Sequence, residues 1–208
     1  MPTTTPAVFV HGVPDTPRVW RAVLAHLVRR DVVTLSLPGF GCPAPAGFDA
    51  TKEAYVRWLL DEPAGQPGPI DVVGHDWGAL LVVRAVSLAP RGVRSWAVGA
   101  AETARHVDPT MKRSILALYR SAVHVGREWY EDLARITAPG LVLWGEHDPY
   151  AAARFGARLA ERTGARFVCL AGCSHWWPLE RPDAVAEELE RFWEDGAGTA
   201  TPMRAGSG

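Results

Sequence analysis

A buried strand pattern that runs directly into the motif Gly-x-Asp-x-Gly is the feature that most constrains the fold of this 208-residue chain. Residues 70–74 read as a strand, and a helical pattern begins at Trp77, so the chain must turn sharply at Asp76. Gly74 and Gly78 leave room beside this corner because they carry no Cβ atom. Such a strand–turn–helix corner is a nucleophile elbow, and it would lift the Asp76 side chain into a cleft.

An aspartate at this corner indicates nucleophilic attack on carbon. Its carboxylate is already ionised at neutral pH, whereas a serine or cysteine must first lose a proton or be tuned. The alternative is that Asp76 simply caps the helix that begins near Trp77, since aspartate is a favoured N-cap residue. A cap requires neither flanking glycine, so the nucleophile is the preferred interpretation.

Short β-rich runs alternate with amphipathic helical segments along the chain. This pattern predicts an α/β protein with a mostly parallel sheet of about six strands, flanked by helices on both faces. The predicted strands are residues 7–11, 32–37, 70–74, 93–98, 141–144 and 166–170. The predicted helices are residues 17–29, 50–60, 77–88, 151–162 and 183–193.

The stretch between the fourth and fifth predicted strands has no strand pattern, but residues 111–125 and 128–135 look helical. We interpret residues 102–138 as a short helical lid inserted above the carboxyl edge of the sheet. Residues 1–193 would form a single domain with this lid, since the chain length and a hydrophobic fraction of 48% suit one core. Residues 194–208 are rich in Gly, Ala and Thr and are predicted to be a disordered tail.

Charge and hydropathy restrict the partners that the chain can have. The formal net charge is −1 with acids and bases interspersed, so we expect neither a nucleic acid nor an anionic membrane as partner. There is no run long enough to span a membrane and no signal-peptide pattern, so a cytoplasmic protein is expected. The predicted partners are a small hydrophobic substrate and water. An apolar cleft under a short lid would also favour a homo-oligomer.

Functional groups of an open parallel sheet lie at the carboxyl ends of its strands, so each strand end is a place to look for partners of the nucleophile. The first predicted strand ends in His11-Gly12-Val13-Pro14. The turn would leave the Val13 backbone amide facing the nucleophile. We interpret His11, Gly12 and Pro14, and also His75 in the elbow, as residues that shape their turns.

An acid and a histidine follow the last two predicted strands. The order nucleophile, acid, histidine, expected for a hydrolase triad, is met by Asp76, Asp148 and His175. Glu146 is a local rival for the acid, and Asp-Pro is also a common turn sequence. His175 has the alternative of being a packed or capping histidine, but an imidazole opposite an elbow is better explained as a base.

Cys169, Cys173 and His175 suggest a metal site at first sight. Their spacing matches no zinc pattern, and a fourth ligand is not apparent. The sequence therefore predicts neither a metal nor another cofactor, and three cysteines do not make a disulfide framework.

Taken in order, these motifs resemble the α/β-hydrolase superfamily, and within it the aspartate-nucleophile branch of epoxide hydrolases and haloalkane dehalogenases. The resemblance covers most of the chain and includes Pro-Gly-Phe-Gly at residues 38–41. It implies the α/β-hydrolase fold and a covalent aspartyl ester formed by Asp76. His175 would then activate water, Asp148 would orient His175, and the backbone amides of Val13 and Trp77 would form the oxyanion hole.

The resemblance leaves two reactions open. Epoxide hydrolases polarise the epoxide oxygen with two lid tyrosines, and Tyr119 resembles the second of them, while no residue between 99 and 111 matches the first. The alternative for Tyr119 is a packed ring with a surface hydroxyl, and Tyr130 and Tyr150 are weaker candidates. Dehalogenases hold the halide with a tryptophan at the position of Trp77 and a second N–H donor, either an asparagine just after His-Gly or a tryptophan of the lid. Val13 stands where the asparagine would serve.

We therefore expect an epoxide hydrolase, with a haloalkane dehalogenase as the alternative. A third hypothesis belongs to another class, namely a hydrolase fold that binds small hydrophobic ligands without turning them over. The short lid and the lack of the opening antiparallel strands motivate this third hypothesis.

Overall fold

The computed structural model describes residues 5–62, 69–88, 92–99 and 108–196. Its centre is one sheet made of β1 (Ala7–Val10), β2 (Val32–Leu35), β3 (Ile70–His75), β4 (Val93–Gly99), β5 (Gly140–Gly145) and β6 (Arg166–Leu170). The strands are ordered β2-β1-β3-β4-β5-β6, and each neighbouring pair is parallel. The predicted six-stranded parallel sheet is therefore confirmed.

Helices cover both faces of this sheet. They are α1 (Arg21–His26), α2 (Lys52–Asp61), α3 (Trp77–Leu88), α4 (Pro109–Ser121), α5 (Val125–Trp129), α6 (Ala153–Thr163), α7 (Trp177–Glu180) and α8 (Pro182–Gly196). The 3-10 helices Pro17–Trp20 and Glu131–Arg135 add single turns. No helix in the described parts of the chain is long and apolar enough to cross a membrane.

Successive residues of β1 point to opposite faces, as the two-residue period of a strand requires. Ala7 and Phe9 belong to a buried cluster shared with α1 and α8. Val8 and Val10 belong to a second cluster shared with α2, α3 and α6. Because both faces are covered, β1, β3 and β5 are buried along their whole length and their carboxyl ends lead into one common region.

Some elements end earlier than the pattern predicts, and residues just beyond these ends make polar contacts with other segments of the chain. β2 stops at Leu35 rather than 37, since the Leu37 N–H donates to Nε2 of His11 at 3.0 Å. The helix predicted for residues 17–29 begins as a 3-10 turn and ends at His26. Beyond it, Arg29 turns back to bind the carboxylates of Asp31 and Asp71.

The segment predicted as a lid contains α4, α5 and the 3-10 helix Glu131–Arg135 in its described part, while residues 102–107 lie outside the described residues. α4 begins at Pro109, two residues before the predicted start, because Oδ1 of the N-cap residue Asp108 accepts from the N–H groups of Thr110 (2.7 Å) and Met111 (2.9 Å). Among the described residues, three ion pairs join the segment to the sheet-covering helices: Lys52 with Glu128, Arg84 with Asp132, and Arg162 with Glu131.

The end of the chain differs from the prediction in one respect. α8 runs to Gly196, so the first three residues of the segment predicted as a disordered tail are helical. The pattern of Leu189, Phe192 and Trp193, all buried, continues the helix past the last predicted residue. Residues 197–208 lie outside the described part of the chain.

Candidate active site

Asp76 lies at the corner between β3 and α3, with φ at 59°. This left-handed conformation is uncommon for a residue other than glycine and is found preferentially at functional sites. Its backbone N–H donates to the Gly99 carbonyl on β4 at 3.0 Å, and its carbonyl accepts from the Ala79 N–H at 2.7 Å. A Cβ atom on Gly74 would lie 2.6 Å from the Gly78 carbonyl oxygen, so the corner closes only with glycine there.

The turn after β1 places a hydrogen-bond donor on the Asp76 carboxylate. The Val13 backbone N–H donates to Oδ2 of Asp76, and the peptide between Val13 and Pro14 is cis. Gly12 packs so closely on Asp76 that a Cβ atom would collide with the carboxylate. The Val13 amide, expected from the sequence to face Asp76, is thus in direct contact with its carboxylate.

His11 holds this turn in place. Its Nδ1 lies 2.6 Å from the Gly12 carbonyl oxygen, and its Nε2 lies 3.0 Å from the Leu37 amide nitrogen. The ring is fully buried, and burial lowers the pKa of His11 to about 4 although the hydrogen bond to Gly12 acts in the opposite direction. A neutral imidazole that donates through Nδ1 and accepts through Nε2 satisfies both contacts, which ties the end of β1 to the end of β2.

His175 and Asp148 form a buried pair across the ends of β5 and β6. Nδ1 of His175 lies 2.8 Å from Oδ2 of Asp148, and neither side chain is exposed. The other carboxylate oxygen, Oδ1, accepts from the N–H groups of Tyr150 and Ala151, both at 2.9 Å. Burial alone would raise the pKa of Asp148, but these hydrogen bonds outweigh it and hold the pKa below its usual value. Asp148 is therefore ionised at neutral pH.

Glu146, the local rival for the acid, has a different environment. It is exposed, and its Oε2 accepts from the Gly172 N–H at 2.9 Å. Of the two acids, the one bonded to His175 is Asp148.

His75, the residue before Asp76, contacts His175. Nε2 of His75 donates to the His175 carbonyl oxygen at 3.1 Å, and the two rings are 5.5 Å apart between centroids. Trp176, the residue after His175, lines a narrow cleft together with Asp76 and Val13. Nε2 of His175 is buried and makes no hydrogen bond to a described protein group. This nitrogen is therefore the atom of the pair that can take up a proton from water.

A cavity of about 440 Å³ opens beside Asp76. Aliphatic side chains form much of its wall, among them Leu80, Val83, Leu133 and Leu159. Asp76 is the only charged residue among the described residues that line it. The cavity suits an uncharged apolar molecule, which would place a reactive carbon against the carboxylate.

Aromatic residues with polar groups complete the wall. The Trp77 indole lines the cavity and contacts the Tyr119 ring edge-on, with centroids 5.1 Å apart. Tyr130 also lines the cavity, and the Arg162 guanidinium lies 4.9 Å from its ring centre. Tyr119 is 39% exposed, so its ring is neither fully packed nor fully in solvent.

Three further residues at the cavity were given little or no weight by the sequence analysis. Tyr150 lines it and packs edge-on against His175, with centroids 5.0 Å apart. Trp129 of α5 lines it as well, with Lys52 at 5.9 Å and Arg84 at 5.4 Å from its ring centre. Trp144 donates through Nε1 to the Ala151 carbonyl at 2.6 Å, beside Tyr150. Tyr150 and Trp144 could have been found from their position at the carboxyl end of a strand, but nothing in the sequence singles out Trp129.

Within the described residues, no three His, Cys, Asp or Glu side chains are grouped so that they could hold a metal ion. Of the cysteines once considered, Cys169 is exposed and Cys173 is buried. Burial raises the pKa of both thiols.

Residues 7–188 match the model of a family described as the alpha/beta hydrolase family. No curated protein matches the sequence at a significant level.

Solved structures of several hydrolases share the architecture. A loop variant of a haloalkane dehalogenase from Bradyrhizobium elkanii is 14% identical, with 97% of this chain and 93% of that chain covered and a TM-score of 0.79. An esterase from Thermogutta terrifontis is 18% identical, with 93% and 91% covered and a TM-score of 0.77. An alpha/beta hydrolase enzyme from a sediment metagenome of the Mar Chica lagoon, Morocco, is 16% identical, with 92% and 91% covered and a TM-score of 0.78. At these identities the likeness establishes the fold.

Proposed function

Because the chain belongs to the alpha/beta hydrolase family, we propose that it is a hydrolase in which Asp76 forms a covalent ester with its substrate, and that the substrate is an epoxide. The observation that carries the proposal is the carboxylate at the elbow. Asp76 has a left-handed backbone conformation at the corner between β3 and α3. Its carboxylate accepts a hydrogen bond from the Val13 amide, and the residue lines an apolar cavity.

A carboxylate at this position favours a different substrate from that of an esterase. If Asp76 attacked the carbonyl of a carboxylic ester, the product would be a mixed anhydride, which is higher in energy than the ester. Attack on the saturated carbon of a strained ring instead gives an ordinary ester and releases the ring strain. The same scaffold therefore supports alkyl transfer to the protein rather than acyl transfer.

The second half of the reaction is hydrolysis of this ester. His175 takes a proton from water through Nε2, and the water attacks Cγ of Asp76. The ionised Asp148 holds Nδ1–H and stabilises the imidazolium that forms. The oxyanion that forms would accept a hydrogen bond from the Val13 amide. The amide of Trp77 would be the second donor, because the first residue of α3 has no carbonyl partner within the helix.

Epoxide opening leaves negative charge on the ring oxygen, which must receive a hydrogen bond. Tyr119 offers a phenol in the cavity, next to Trp77 and on the wall shared with Asp76. We assign it as the acid for this oxygen. The substrate would be small and hydrophobic, water would be the second reactant, and no cofactor would be required.

A haloalkane dehalogenase is a second candidate, and one specific observation favours it. Trp77 and Trp129 both line the cavity beside Asp76, and each carries an indole N–H, the kind of donor that holds a halide. The haloalkane dehalogenase from Bradyrhizobium elkanii has the same fold. The first half-reaction would be identical except for the leaving group.

The test is intact-protein mass spectrometry of the wild type and of His175→Gln after mixing with styrene oxide. The variant should retain attack but lose hydrolysis, so one epoxide should accumulate on the protein, and peptide mapping should place it on Asp76. The wild type should form the diol, and the double variant with Asp76→Asn should form neither product. An adduct with 1-bromohexane but none with styrene oxide would favour the dehalogenase. The absence of any adduct would favour a protein that binds ligands without turnover.

A further inference from the structure

We propose that Tyr150 is a second catalytic acid, whose phenol donates a hydrogen bond to the epoxide oxygen alongside Tyr119; this inference rests on the proposed function. Tyr150 lies outside the lid segment, on the loop that follows β5. It is one of three tyrosines that line the cavity beside Asp76.

The rings of the two tyrosines pack against different residues of the site. Tyr119 is packed against Trp77, the residue that follows the nucleophile. Tyr150 is packed edge-on against His175, the proposed base, with centroids 5.0 Å apart. An epoxide oxygen has two lone pairs, so it can accept from both phenols while its carbon faces Asp76.

The loop that carries Tyr150 is fixed at several points. The backbone N–H groups of Tyr150 and Ala151 both donate to Oδ1 of Asp148, at 2.9 Å. The Ala151 carbonyl accepts from Nε1 of Trp144 at 2.6 Å. The carboxylate that orients His175 therefore also fixes the backbone of Tyr150. With its backbone anchored in this way and its ring packed on His175, Tyr150 needs little reorganisation when charge develops, which is the condition for effective stabilisation of an alkoxide.

Ring opening in the proposed step is coupled to the transfer of one proton. One oxygen of Asp76 forms a bond to the epoxide carbon, and the carbon–oxygen bond of the ring breaks with its electron pair moving to oxygen. That oxygen takes the proton of a phenol and becomes the hydroxyl of the ester intermediate. Tyr150 is 50% exposed, so its phenolate regains a proton directly from solvent water. The hydroxide formed is neutralised by the proton that His175 releases after hydrolysis.

Tyr130 also lines the cavity, but its surroundings do not suit this role. Its ring lies under the Arg162 guanidinium at 4.9 Å and contacts neither member of the His175 and Asp148 pair among the ring contacts of the described residues. Tyr150 is the phenol placed beside that pair.

The alternative role of Tyr150 is packing only, with the ring supporting the His175 imidazole. The two roles predict different half-reactions to change. Loss of an acid slows alkylation of Asp76, because the leaving oxygen is no longer stabilised. Loss of a packing ring slows hydrolysis of the ester, because His175 acts only in that step. Tyr150→Phe keeps the ring and removes the hydroxyl, so it isolates the acid role.

The experiment measures the rate of adduct formation by rapid quench and intact mass spectrometry, with styrene oxide and His175→Gln as the parent protein. Adding Tyr150→Phe should slow alkylation at least tenfold, and adding Tyr119→Phe should have an effect of similar size. Tyr55→Phe is the matched control, since the Tyr55 hydroxyl is buried against the Pro38 carbonyl away from the cavity. It should alkylate within twofold of the parent.

Each outcome decides the proposal. If Tyr150→Phe alkylates as fast as the parent, the acid role is overturned while the covalent mechanism stands, because the parent still forms its adduct. If the parent itself forms no adduct, the proposed function fails and the inference fails with it. The melting temperature of each variant, measured in parallel, shows whether a slow rate results from unfolding. An alkylation rate that falls at unchanged melting temperature supports the acid role.

Discussion

If the proposed mechanism holds, replacing Asp148 by asparagine should stall the protein at the covalent ester of Asp76. The carboxylate has two distinct sets of partners: Oδ1 accepts from the N–H groups of Tyr150 and Ala151, and Oδ2 accepts from His175. An asparagine has only one acceptor oxygen, which the two backbone donors require. Its NH₂ group must then face Nδ1 of His175. The imidazole would be forced to accept at Nδ1 and carry its proton on Nε2, where it can no longer take a proton from water.

The size of the effect follows from these contacts. A charge-assisted hydrogen bond contributes about 1.5–3 kcal/mol, and the wrong tautomer of the base adds a further cost. Comparable substitutions in hydrolase triads slow turnover by roughly 10⁴. We expect Asp148→Asn to slow ester hydrolysis by about 10³–10⁴, equivalent to about 4–5 kcal/mol. Alkylation should continue at its wild-type rate because Asp76 needs no base.

The assay compares diol formation with the fraction of protein that carries the adduct. During turnover of styrene oxide, almost all of the Asp148→Asn protein should carry the adduct. The wild type should hydrolyse its adduct and continue to form diol. Glu146→Gln is the control, since this neighbouring acid is exposed and bonds only the Gly172 amide and the nearby His147 ring among the described contacts. It should turn over within twofold of the wild type. Turnover of Asp148→Asn within tenfold of the wild type, or unmodified protein at steady state, would refute the reasoning.

Two predictions concern stability. Asp71→Asn should lower the free energy of unfolding by about 1.5–3 kcal/mol, because the fully buried carboxylate pairs with Arg29 and Arg94; Arg29 keeps its pair with Asp31, but Arg94 loses its carboxylate partner. Urea melts check this value, and a loss below about 1 kcal/mol would contradict it. His11 should make the wild type less stable by about 3 kcal/mol as the pH falls from 6.5 to 4, since its pKa is about 4 when folded and about 6.5 when unfolded, so the unfolded state binds the proton first. Urea melts at several pH values in this range give the free energy of unfolding as a function of pH. It should fall more steeply for the wild type than for His11→Gln as the pH decreases, and an equal dependence on pH in the two proteins would refute the assignment.

The sheet and the elbow could be predicted from sequence because their signals are local. Buried parallel strands give continuous apolar runs, and the elbow requires glycine on both sides of Asp76. Element ends were less predictable, because they depend on contacts between distant segments. After the early end of β2, the Leu37 amide donates to the His11 ring. After the early end of α1, the Arg29 guanidinium binds the carboxylate of Asp71.

The candidate site shows the same division between local and distant signals. Asp76, Asp148 and His175 each follow a strand, so their meeting at one edge of the sheet is a consequence of parallel topology. The role of Trp129 depends instead on how α5 lies over α2 and α3, which is fixed by the ion pairs of Lys52 and Arg84 with acids of the lid segment. No periodicity in the sequence encodes those pairings.

The hydrogen bond from Val13 to Asp76 bears on both half-reactions at once. It engages Oδ2, so attack through the other oxygen, Oδ1, would leave this hydrogen bond in place. Once Oδ1 carries the substrate, Oδ2 becomes the carbonyl oxygen of the ester and already lies against the Val13 amide. Water attack then develops negative charge on an oxygen whose donor is in place, so the oxyanion hole needs no rearrangement between the two steps. In the proposed mechanism, one fixed donor would therefore bind the carboxylate during attack and then stabilise the oxyanion during hydrolysis.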